Sequence, residues 1–104
     1  MAVIKVTQDN FKEEVLESSV PVLADFNATW CGPCRMLAPV IEEIADERND
    51  IKVVAIDVDE ESDLASDHDV FSIPCVVLFK GGAEAARSVG FKSKDDLLDM
   101  VDGN

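Results

Sequence analysis

The chain has no tyrosine, one tryptophan and one histidine, and only nine basic residues against 22 acidic ones. The shortage of lysine and arginine leaves a formal net charge of −13. That disfavours nucleic acid and anionic membranes as partners, because phosphate groups and acidic headgroups draw basic side chains. It favours a solvated acidic surface and selection of partners with basic patches. No apolar run approaches the roughly 20 residues a membrane helix needs. Met1-Ala2-Val3-Ile4-Lys5 shows no basic region leading into an apolar export segment. Three cysteines, an odd number, do not make a stapled secreted scaffold. No linker, repeat or low-complexity tract interrupts the chain. The 104 residues, 47% of them apolar, are therefore expected to form one domain spanning 1–104 around a modest core. The expected setting is a reducing one, taken as cytoplasmic, with no membrane partner.

Short apolar runs alternate with amphipathic ones. Residues 2–6 read as a strand, and residues 10–18 as a helix with Phe11, Val15 and Leu16 inward, capped by Thr7 or Asp9. Residues 21–28 are dense in Val, Leu, Ala and Phe, as a central strand covered on both faces would be. The longest helix is expected over 34–49, its run beginning near Gly32, with Leu37, Ile41, Ile44 and Ala45 on one face, and Pro39 is expected to remove one backbone hydrogen bond and kink it. A strand over 51–58 precedes a polar stretch, 59–69, that can hold a short helix around Leu64 and Ala65. Residues 75–80 and 84–89 read as a hairpin turned by Gly81-Gly82. Gly90 breaks it, and Ser93 caps a last helix with Asp95 and Asp96 in its first turn. The order βαβαβαββα makes an α/β fold: a central mixed sheet with helices on both faces.

Chemistry concentrates in Trp30-Cys31-Gly32-Pro33-Cys34. Two cysteines two residues apart at a strand-to-helix junction can close and open as a disulfide without large backbone movement. The helix N-terminus stabilises a thiolate there. The plain reading is a thiol–disulfide redox protein; a structural or zinc-binding pair is the alternative. Zinc could in principle draw on Cys31, Cys34, Cys75 and His68, but their spacing does not support it, and no metal is expected. His68 reads as a solvated surface histidine in an acidic loop. Asp57, Asp59, Glu61 and Asp63 alternate as in a calcium loop, yet the required glycine and the terminal glutamate are missing. Asp25, between Ala24 and Phe26 in an apolar strand, is a buried carboxylate whose pKa should be raised.

Over essentially its whole length the chain resembles the thioredoxin family. The landmarks are Trp30-Cys31-Gly32-Pro33-Cys34, Asp25-Phe26 upstream, Ile73-Pro74, Phe79-Lys80-Gly81-Gly82 and Gly90, in order and at full-length spacing. The resemblance implies the thioredoxin fold and a redox-active disulfide between Cys31 and Cys34. Cys31 would attack a substrate disulfide, Cys34 would resolve the mixed disulfide, and Asp25 would move the proton. Trp30, Gly32, Pro33, Ile73, Pro74 and Gly90 would form the substrate surface, with the Ile73–Pro74 bond cis. No bound cofactor is implied. A partner thioredoxin reductase, an NADPH-dependent flavoprotein, would return the electrons, and the clients would be disulfide-containing proteins met by a monomer.

Three residues depart from the family pattern. Asn27 stands where a second tryptophan is general, so packing beneath the site should differ. Ala55 stands where many bacterial members place a lysine near the buried aspartate, so Asp25 should have a more strongly raised pKa. Cys75 replaces the usual threonine after Pro74 and reads as a small buried hydrophobe. The resulting expectation is a general protein-disulfide reductant and electron carrier. Its alternatives are a redox partner dedicated to one client system, a disulfide oxidase or isomerase, and a non-catalytic binding module. Gly32-Pro33 and the missing export segment count against an oxidase or isomerase, and retention of both cysteines, Asp25 and Pro74 counts against a binding module.

Overall fold

The computed structural model describes residues 3–104; Met1 and Ala2, and with them the start of the first expected strand, lie outside the described residues. Among the described residues five strands form one sheet: β1 (Ile4–Lys5), β2 (Val22–Asn27), β3 (Lys52–Asp57), β4 (Cys75–Lys80) and β5 (Ala83–Val89). Their order across the sheet is β1-β3-β2-β4-β5. β1 and β2 run parallel to β3, whereas β4 is antiparallel to both β2 and β5. The helices are α1 (Gly32–Glu47), α2 (Ser62–Asp67) and α3 (Lys94–Asp102). The expected order of elements is the observed one, and the sheet is mixed, as expected.

β2 is central, and alternation along it sorts its side chains. Val22, Ala24 and Phe26 enter a core with Phe11, Val15, Leu64, Ala65, Val77 and Phe79. Leu23 enters a second core with Leu37, Ile41, Ile44, Ala45, Leu97 and Val101 of α1 and α3. By the same alternation Asp25 and Asn27 lie on the α1 side of the sheet. The helical face Leu37–Ile41–Ile44–Ala45 is the one its spacing specifies. Leu37 and Ile44 are fully buried, and truncating either to alanine should cost about 2–5 kcal/mol. α1 runs unbroken through Pro39.

The α3 cap is as expected, with Ser93 Oγ accepting from the Asp96 amide at 3.1 Å. The β4–β5 turn requires glycine. Gly82 has φ +83°, and a Cβ there would stand 2.9 Å from the Leu16 carbonyl oxygen.

The first helical segment departs from expectation. It is a π-type turn over Lys12–Leu16, with the Glu17 amide donating to the Lys12 carbonyl at 2.9 Å. Neither Thr7 nor Asp9 caps it. The Thr7 amide instead donates to Asn10 Oδ1 at 2.6 Å, and the Asp9 amide donates to Thr7 Oγ1 at 3.2 Å, so both residues are used in the preceding turn. Leu16 is exposed, since only Phe11 and Val15 lie on the side that meets the sheet. His68 is not a solvated side chain either. It is half-buried, with its ring 5.0 Å from that of Phe11 and 5.5 Å from that of Phe79.

Candidate active site

The site forms where β2 ends and α1 begins. Cys31 occupies the N-cap position of α1, Gly32 and Pro33 fill the first two helical positions, and Cys34 completes the turn. Proline suits this place because an N–H at the first turn has no helical partner to lose. Cys31 and Cys34 form a disulfide with their Cα atoms 5.2 Å apart. The Cys34 amide donates to Cys31 Sγ at 3.2 Å. No acidic residue sits in the first turn of α1, so no side chain of that turn offsets the partial positive charge that this helix end directs at Cys31.

In the disulfide form both cysteines are buried, at 5% and 4% exposure. They pack with Ala28 and against Val58 and Ile73, which cover the pair from two neighbouring loops.

One of those covers is the Ile73–Pro74 segment, whose peptide bond is cis. The Ile73 carbonyl oxygen lies 3.9 Å from Cys31 Sγ. The Pro74 carbonyl accepts from the Gly90 amide at 2.7 Å, which brings the end of β5 beside the disulfide loop. Gly90 has φ +91°, a conformation that favours glycine. Trp30 is 66% exposed next to Cys31. Phe71, Val89 and Phe91, which flank Ile73 and Gly90 in the chain, are exposed too.

Trp30 also has a partner that its own surroundings in the sequence do not announce. Its Nε1 donates to Asp59 Oδ2 at 2.7 Å. Asp59 is in turn held by Asp57, whose Oδ1 accepts from the Asp59 and Glu60 amides at 2.8 and 3.2 Å. The alternating acidic residues thus form a turn that orients the tryptophan. A 29-residue separation hides this pairing from any local reading.

Asp25 is 3% exposed, the buried charged residue of the core. Asn27 Nδ2 donates to Asp25 Oδ2 at 3.3 Å and to the Asp25 carbonyl oxygen at 3.2 Å. Asp25 Oδ1 is buried and has no hydrogen-bond partner among the described residues. Burial pushes the Asp25 carboxyl up to about 6, against the opposing pull of the Asn27 hydrogen bond. The residue opposite Asp25 on β3 is the uncharged Ala55, which brings no cation to oppose that rise. A cleft of about 170 Å³ is lined by Asp25, Asn27, Ala28, Thr29, Cys34, Arg35 and Ala38, so Asp25 and Cys34 border one space.

Cys75 is 1% exposed and packs with Phe26, Val77 and Phe79 on the other face of the sheet, as a small buried hydrophobe. Burial pushes its thiol up. Among the described residues no group of three or more His, Cys, Asp or Glu side chains converges as metal ligands do, and no helix is long and apolar enough to cross a membrane.

The structure therefore brings Cys31, Gly32, Pro33, Cys34, Ile73, Pro74 and Gly90 together, with Asp25 beneath and Trp30 beside them. Asn27 and Asp59 join this group without having been assigned to it from the sequence. The family model for Thioredoxin matches residues 2–103. A thioredoxin of Mycolicibacterium smegmatis is 54% identical over 100 residues, covering 93% of this chain and 89% of its own. A thioredoxin of Rickettsia felis is 45% identical over 97 residues, covering 92% of each. A bifunctional thioredoxin reductase/thioredoxin of Mycobacterium leprae is 52% identical over 96 residues, which are 91% of this chain and 21% of that protein.

Proposed function

The chain belongs to the thioredoxin family, and from that premise we propose how this thiol–disulfide oxidoreductase, a protein-disulfide reductase, carries out its reaction and with which partners. Cys31 is the attacking thiolate. The Cys34 amide, 3.2 Å from its sulfur, and the uncompensated N-terminus of α1 support that role by favouring the charged form. This is the observation that carries the reading. A free cysteine titrates near 8.5 and comparable positions bring it toward about 7, which supplies thiolate at neutral pH while keeping it nucleophilic.

Attack on a substrate disulfide forms a bond from the Cys31 sulfur to one substrate sulfur and expels the other as a thiolate. Cys34 then attacks Cys31, closes the disulfide and releases the second substrate thiol. Asp25 takes the proton from Cys34. Support comes from the shared cleft and from a carboxyl titrating near 6, which is ionised at pH 7 yet basic enough to accept a proton. Ile73, held by the hydrogen bond that the Gly90 amide donates to the Pro74 carbonyl, offers its backbone to an extended substrate segment in the manner of strand addition. Trp30, Gly32, Pro33 and Gly90 complete an apolar contact surface around it.

The partners in this reading are a thioredoxin reductase that returns two electrons, drawn from NADPH through a flavin of its own, and client proteins with accessible disulfides. The fusion named in Mycobacterium leprae joins the two activities in one polypeptide and supports that pairing. The protein itself holds no resident cofactor or metal in this reading, works as a monomer of one domain, and resides in the cytoplasm.

The reduction potential of Cys31–Cys34, followed by Trp30 fluorescence in a defined thiol–disulfide buffer, tests the proposal. A value near about −270 mV is expected of a general reductant. A value of about −180 mV or above would overturn it in favour of a specialised carrier or a disulfide donor.

A further inference from the structure

Asn27 ends β2 on the same side of the strand as Asp25. A polar residue at a strand end ordinarily turns its amide to solvent. Here the amide turns back, donating to the Asp25 carbonyl at 3.2 Å and to Asp25 Oδ2 at 3.3 Å. These are long hydrogen bonds, beyond the usual 2.9–3.0 Å, so they orient the carboxyl more than they neutralise it. The other oxygen, Oδ1, is buried and has no hydrogen-bond partner among the described residues. Two clefts meet at this residue pair. One of about 170 Å³ reaches Cys34 and Arg35, and one of about 120 Å³ reaches Ile41, Glu42 and Ala55. Both are lined by Asp25, Asn27 and Ala38.

We propose that Asn27 is a positioning residue for the resolving step, holding Asp25 Oδ2 so that Oδ1 is the oxygen that takes the proton of Cys34. The inference rests on the role given to Asp25 under Proposed function and names the device that controls it. In the step, the Cys34 S–H bond breaks and its proton passes to Oδ1. The Cys34 sulfur bonds to the Cys31 sulfur, the bond from Cys31 to the substrate sulfur breaks, and the substrate thiolate takes a proton from water. Over the cycle the Cys31–Cys34 dithiol loses two electrons and the substrate disulfide gains them. The proton on Asp25 returns to solvent through the cleft.

The other ionisable groups around Asp25 do not provide this control. On α1 they are Cys34, Arg35 and Glu42, which line the clefts. On β4, Cys75 feels the charge of Asp25 but lies across the sheet. On β3, the residue opposite Asp25 is Ala55, and Asp57 is opposite Asn27. The hydrogen bond to Asp25 Oδ2 comes from Asn27.

The test is a carboxyl-carbon NMR titration of Asp25 in the reduced protein. It is paired with the pH profile of the second thiolate released from dithiobis(nitrobenzoate), which reports the attack of Cys34 on the mixed disulfide. Asn27→Leu keeps the side-chain volume and removes the donor. Both midpoints are expected to move to higher pH, by about a three- to tenfold change in acid dissociation constant. Asn27→Thr, which keeps a donor hydroxyl, should move them less. Unchanged midpoints in Asn27→Leu, or equal shifts in the two variants, overturn the inference while leaving the redox reading intact. Absence of a second release phase in the unmodified protein overturns both. Should Asn27→Leu not fold, Asn27→Val removes the donor with a side chain suited to a strand and is read in the same way.

Discussion

At the C-terminal end of α1, Arg48 is clamped by two carboxylates. Its Nε and Nη2 each donate to Asp50 at 2.8 Å, and its Nη2 and Nη1 donate to Asp102 at 2.9 and 3.3 Å. One turn back, Lys94 of α3 spans Glu43 and Glu47 of α1 at 2.8 and 2.9 Å. At the N-terminal end, about 24 Å away along a 16-residue helix, a buried carboxyl keeps one oxygen unpartnered and the first turn carries no acid. The contrast separates two uses of charge. The far end pairs opposite charges in water, where pairing costs little and contributes little. The near end withholds partners inside the protein, where the electrostatic effect is large. That raises the Asp25 carboxyl and leaves the helix amides to Cys31. Stability is sacrificed at one end only, and that end carries the chemistry.

Substitutions at the two ends should differ accordingly. The largest effect is expected from Cys31→Ser, which should abolish reduction of a protein disulfide. Cys34→Ser should still attack and accumulate a mixed disulfide, detectable by mass spectrometry. Equal residual turnover in both variants would remove the distinction between attacking and resolving sulfur.

Asp25→Asn comes next and acts in two directions. The folded carboxyl titrates near 6 against an ordinary value of 3.8. The folded state therefore binds this proton more tightly than the unfolded chain does. The protein is most stable with respect to this group below pH 4, and that stability is lost as pH rises through 6. The loss is about 3 kcal/mol by pH 7. Asn at this position should stabilise the protein at pH 7 by about 2–3 kcal/mol and flatten the change in urea midpoint between pH 4 and pH 7. It should also slow the resolving step by about a hundredfold. Parallel pH profiles for the two proteins would contradict the burial of an unpaired carboxyl.

Asp59→Ala, still at the active end, releases the Trp30 indole from its 2.7 Å hydrogen bond. Lower fluorescence anisotropy of the single tryptophan and a few-fold rise in KM for a protein substrate are expected, with the rate for a small disulfide unchanged.

The smallest effect belongs to the far end. Arg48→Ala should lower Tm slightly at low ionic strength, with the difference gone near 1 M salt, where charge interactions are screened within about 3 Å. The Arg48 hydrogen bonds hold Asp50 down at about 2. Its contribution is thus present above pH 4 and disappears as pH falls toward 2. Disulfide reduction by this variant should match the unmodified protein; a change would mean the two ends of α1 are coupled.

Amino-acid order by itself determined the strand–helix succession, the buried face of α1, the Ser93 cap, the glycine turn, the cysteine pair at a helix start and the raised state of Asp25. Each of these depends on periodicity, on capping chemistry or on one polar residue in an apolar run, and all are read within a few positions. Only the tertiary structure decided the rest. It placed Asp59 under Trp30 and stacked His68 against Phe11 and Phe79, across distances in sequence that carry no local signal. It replaced the first expected α-helix by a π-type turn whose preceding residues bond one another, and it buried both sulfurs of the disulfide beneath Ile73 and Val58. Above all, it turned Asn27 back toward Asp25. Sequence marks that residue as out of place, but the direction of a side-chain amide follows from packing, and packing is a property of the assembled sheet and helix together.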